Sequence, residues 1–205
     1  MSISECFKII LTGDREVSRR AARGVRGLIY GSRGGDGEYT DIKNLIDTAP
    51  NEYSNISEDW RRENFVIAVS VLYFLHNREH QPDFLFPWLF DLLQHENGNI
   101  RHAAVRMLEH ELGPLTVYIR VPGNGFSYFC NLTPEQADTI LYSLFINLNE
   151  LLGMLWQPRY KKYKYIDSLP TSPYKSVQMV FGRLGEDCGK DYMSQMEQQI
   201  KLFSL

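Results

Sequence analysis

The chain has little cysteine. Cys6, Cys130 and Cys188 are odd in number and scattered along 205 positions, with no Cys-x-x-Cys pair among them. Neither a disulfide framework nor a cysteine zinc site is supported, and a reducing cytoplasm fits best. Long hydrophobic runs are also missing: none approaches a membrane span. The opening MSISECFKIILTG carries Glu5 and too few consecutive apolar residues for a secretory leader. There is no Gly-x-Ser-x-Gly elbow. Four glycines lie in Gly31–Gly37, but no Gly-Lys-Ser/Thr follows and no strand precedes them, so they read as a linker rather than a phosphate cradle. Excess positive charge is lacking too. A net charge of −3 argues against a globally basic nucleic-acid binder and leaves local patches open. No cofactor motif stands out.

What is present is helical periodicity. The chain is organised around residues 82–112. In the first half, Phe84, Leu85, Trp88, Leu89, Leu92 and Leu93 recur at spacings of three and four. A polar turn, His95–Asn99, follows, with Asn99 placed to cap a second helix. There Ile100, Ala104, Met107, Leu108 and Leu112 share a face, and Gly113-Pro114 is expected to stop it. Further helices are expected over 3–12, 15–30 after an Asp14 cap, 39–48, 58–77 after a Ser57 cap, 134–152 after Thr133, 173–185 after Ser172, and 191–203. On 15–30 the apolar face is Val17, Ala21, Gly24, Val25 and Leu28. The helix from residue 58 is apolar nearly all round and is expected to be central.

Two stretches read differently. Thr116–Val121 and Phe126–Cys130 flank the turn residues Pro122–Gly125, which predicts a β-hairpin over 116–130. Tyr160–Ile166 alternates as a strand would.

Three constellations could carry function. Arg15, Arg19, Arg23 and Arg26 fall on one face of their helix, flanked by Arg20. Guanidinium forks fit phosphates and carboxylates alike, so the face suits an anionic partner, set against the plainer reading of a solvated, partly paired surface. Arg159–Tyr165 interleaves Lys161, Lys162 and Lys164 with tyrosines, which suits nucleic-acid stacking or an edge strand guarded by lysine. His76-Asn77-Arg78-Glu79-His80 matches an inverted zinc-peptidase pattern, with Glu150 downstream as a third ligand. It sits at a helix end just before Pro82, which favours a polar final turn instead. Cys130 has no evident base. Trp88 and Asp91 lie one turn apart, and Trp88 is assigned to the core.

Asn99-Ile100-Arg101-His102-Ala103-Ala104-Val105-Arg106-Met107-Leu108 resembles the second helix of a HEAT repeat. The shared pattern is an Asx turn, an aliphatic–arginine pair, two small residues and an aliphatic pair. Ser18-Arg19-Arg20-Ala21-Ala22 echoes it faintly. The resemblance implies an all-α, right-handed α-α superhelix of antiparallel helix pairs, HEAT/armadillo-like, here with the small β-hairpin inserted; the alternative is a non-repeating helical bundle, and length points to residues 1–205 as a single domain. It also implies that Arg101 braces adjacent turns. The function expected is a non-enzymatic interaction or scaffold module that presents a helical groove to a protein partner. The alternative is a nucleic-acid binder using the arginine stripe, and the third reading is a metal-dependent hydrolase at His76 and His80. No membrane association is expected.

Overall fold

The computed structural model describes residues 2–31, 36–75, 85–123, 132–158, 160 and 172–203. These residues are almost entirely helical, with no strand among them. Contacts divide the chain into two compact units, Met1–Leu92 and Leu93–Leu205.

The first unit begins with α1, Ile3–Thr12, and α2, Arg15–Gly31. Ser2 and Glu5 close a capping box on α1, each side chain bonding the other's backbone N–H. Gly13 ends it at a close approach: a Cβ there would meet the Ile9 carbonyl oxygen at 2.7 Å. Asp14 then caps α2, its Oδ1 accepting from the N–H groups of Glu16 and Val17. α3, Asp36–Asp47, and α4, Ala49–Asn55, lead to α5, Asp59–Leu72, which a 3-10 turn, Tyr73–Leu75, extends. α3 ends at Asp47, and Pro50 lies in the first turn of α4. The cap of α5 is Glu58, not Ser57.

α1, α2 and α5 pack mutually, and α3 and α4 add to α5. Phe65, Val66, Ala68, Val69 and Leu72 of α5 are buried, consistent with its central role. Phe7 meets Phe65 edge-on at 5.9 Å. Arg61 reaches back from α5 to the end of α1, where its Nη1 donates to the carbonyls of Ile10, Leu11 and Gly13. Those groups have no partner within their own helix, so a side chain about fifty residues away serves as the cap. The unit ends within α6, Phe86–Leu93, where Trp88 is buried edge-on against Tyr53.

The second unit comprises α7, Gly98–Leu115; α8, Val117–Arg120; α9, Pro134–Leu155; α10, Pro173–Cys188; and α11, Lys190–Phe203. α10 touches all four others, and its Ser176, Val177, Val180 and Leu184 are fully buried. The Ser172 cap and the Thr133–Gln136 capping box start α10 and α9 as expected. Gly189, at φ 79°, closes α10 in a conformation that favours glycine.

Three expectations are corrected here. The cap of α7 is Asn97, whose Oδ1 accepts from Asn99 and Ile100. α7 also runs through Pro114 to Leu115. The carbonyls that crowd this end find side-chain donors: Thr116 Oγ1 on Leu112 and Arg120 Nη2 on Gly113, both at 2.7 Å. Finally, Val117–Arg120 form the short helix α8 where the first strand of the hairpin was expected. Val117 is buried, and Tyr118 is drawn into hydrogen bonds with α9 and α11. Residues 124–130, the rest of that hairpin, lie outside the described residues, as do 161–166 of the other expected strand.

Candidate arginine face and its surroundings

The inner side of α2 explains why its outer side is free for arginine. Ser18, Ala21, Ala22 and Val25 are buried, whereas Val17 is 38% exposed. The buried face is therefore rotated from the purely apolar one, because Ser18 is held inside by two hydrogen bonds. Its Oγ donates to the Ile10 carbonyl and accepts from Asn64 Nδ2. Arg15, Arg19, Arg20, Arg23 and Arg26 are all exposed on the other side.

Within this face Glu16 is the local counter-charge. Arg19 donates to it twice, Nε to Oε2 at 3.0 Å and Nη2 to Oε1 at 2.9 Å. Arg20 Nε stands 3.7 Å from the same carboxylate. The hydrogen bonds from Arg19 hold the Glu16 carboxyl below the usual carboxylate range. Arg15, Arg23 and Arg26 enter no ion pair among the described residues.

His76, His80, Lys161, Lys162 and Lys164 lie outside the described residues. Glu150 is exposed on α9. Among the described residues no three His, Cys, Asp or Glu side chains form a group that could hold a metal. Asp91 is exposed, whereas Trp88 is buried in the core as expected. Arg101 is buried, and its Nη1 donates to the carbonyls of His95 and Glu96, bracing the turn before α7. Glu111 is fully buried on α7.

A cluster in the second unit escaped the sequence reading. Asp138 Oδ1 on α9 accepts from the hydroxyls of Tyr118 on α8 and Tyr192 on α11, and the two hydroxyls lie 3.1 Å apart. Burial, reinforced by Asp138, pushes both phenols well above the usual tyrosine range. Burial likewise pushes the neighbouring Cys188 thiol up to about 12. Such groups stay protonated at neutral pH, so they tie helices together and supply neither base nor nucleophile. No periodic pattern links residues 118, 138 and 192.

In the first unit, a cleft of about 280 Å³ is lined by Leu11, Glu52, Asn55, Ile56, Glu58 and Arg61. Arg61 is engaged by three carbonyls and by Glu58, so the cleft offers an anion no free guanidinium. No helix among the described residues is long and apolar enough to cross a membrane. In comparisons with known proteins, no family model, curated protein or solved structure matches the chain.

Proposed function

We propose that the chain is a non-enzymatic interaction module that docks an acidic protein segment on the arginine face of α2. The observation that supports it is the exposed row Arg15, Arg19, Arg23 and Arg26, in which Arg19 already grips a carboxylate through two N–H groups. Residues four apart on a helix are separated by about 6 Å of rise. An acidic helix with carboxylates every fourth residue repeats at the same interval. Like charges gathered this densely repel, and an anionic partner relieves that repulsion.

Nucleic acid is the second reading, favoured by the same row because a guanidinium fork also fits phosphate. The net charge of −3 weighs against it, since long-range attraction to a polyanion is then weak.

The HEAT-like superhelical arrangement belongs to this proposal. Its support is local: the Arg101 brace and two buried alanine pairs, Ala103–Ala104 on α7 and Ala21–Ala22 on α2.

The test is fluorescence anisotropy with two labelled probes, a helical peptide bearing glutamate at every fourth position and a single-stranded oligonucleotide. Peptide binding should weaken with salt and disappear in an Arg15→Glu/Arg23→Glu variant that melts as the parent does. Binding of the oligonucleotide alone would move the function to the second reading. Binding of neither at low salt would remove both.

A further inference from the structure

We infer that Glu16 is the specificity-determining residue of the arginine face, an internal carboxylate that an incoming anion must displace from Arg19. The inference rests on the docking role proposed for this face. Its own basis is the geometry: Glu16 occupies the Nε–Nη2 edge of Arg19, the edge a bidentate carboxylate or phosphate would use.

Glu16 is a strong competitor for a simple reason. It sits three residues before Arg19 on the same helix, so it binds without the entropy cost of association. It also lies within reach of Arg20 at 3.7 Å. Arg19 therefore presents a guanidinium already satisfied along one edge. Arg15, Arg23 and Arg26 are exposed without such a partner among the described residues.

The consequence is a filter. A lone carboxylate arriving at Arg19 would replace like with like and gain nothing. An anion with several charges in register gains first at Arg15 and Arg23, and that gain supports the exchange at Arg19. The face thus rejects isolated carboxylates and accepts arrays, an instance of discrimination by a built-in cost rather than an added contact.

The experiment uses the full chain and the glutamate-every-fourth-residue helical peptide, in wild type, Glu16→Gln, Arg19→Ala and the double variant, with melting by circular dichroism to show that each is folded. Glu16→Gln should bind the peptide roughly two- to fivefold more tightly at low salt, the range expected for removing an exposed ion pair. The gain should vanish at high salt, where exposed charges are screened. In the Arg19→Ala background the same change should give little or no gain. Equal tightening in both backgrounds would overturn the inference, because Glu16 would then act only as a diffuse negative charge. No tightening by Glu16→Gln would also overturn it. If the peptide still binds wild type and is lost in Arg15→Glu/Arg23→Glu, the docking reading survives that failure. If no variant binds, both fall.

Discussion

Asn64 on α5 donates its side-chain amide to the Ser18 hydroxyl on α2 at 3.1 Å, and both residues are buried. Ser18 donates onward to the Ile10 carbonyl at 2.9 Å, so one hydroxyl joins α1, α2 and α5. Ser18→Ala leaves the Asn64 amide without this acceptor and should lower stability by about 1–3 kcal/mol. Adding Asn64→Leu should cost much less than it does alone, because the two changes remove the same interaction. Urea midpoints of the four proteins decide it: simple additivity would mean that the bond contributes nothing.

Arg101 offers a second measurement. It is buried and donates to the His95 and Glu96 carbonyls from within α7. Arg101→Met should cost about 1.5–3 kcal/mol, the range for hydrogen bonds from a charged group. The loss should show locally as faster amide exchange at Asn99 and Ile100, which Asn97 caps. Unchanged exchange there would show that the turn holds without its brace.

Alkaline pH should destabilise the second unit. In the folded chain Cys188, Tyr118 and Tyr192 all keep their protons beyond their ordinary values of 9.0, 10.0 and 10.0. The unfolded chain gives them up first, so their stabilising effect is full below about pH 9 and is lost as pH rises beyond it. Denaturant midpoints from pH 8 to pH 11 should fall. In a Tyr118→Phe/Tyr192→Phe variant the fall should be shallower, from a lower start. An identical slope would show that the phenols are not the groups responsible.

Ala104 is fully buried on α7. Ala104→Phe must push a neighbouring helix outward and should cost about 1–3 kcal/mol. A thermal midpoint equal to that of the parent would mean that the site has slack the packing does not show.

The helical character and most helix starts were legible because caps are local chemistry. Asp14, Thr133 with Gln136, and Ser172 each sit within three residues of the groups they satisfy. That the arginines share one face was legible for a related reason, since spacing alone assigns residues to a helical face; whether that face was exposed or paired was not. What was not legible depended on distant partners. Ser18 looks polar, and only Asn64 and Ile10 explain its burial. Val117–Arg120 look like a strand, yet Asp138 and Tyr192 engage Tyr118 while it is helical. Pro114 looks like a stop, and Arg120 and Thr116 supply the donors that let the helix pass it. The Tyr118–Asp138–Tyr192 cluster left no trace in any one window of sequence.

Arg61 carries a consequence for the order in which the first unit can assemble. α1 has its own start, the Ser2–Glu5 box, but its finish belongs to α5. A ribosome must therefore make the whole of α2, α3 and α4 before the last turn of α1 can be completed. Until then the Leu11 and Gly13 carbonyls lack this donor, so α1 is finished only after the three helices that follow it.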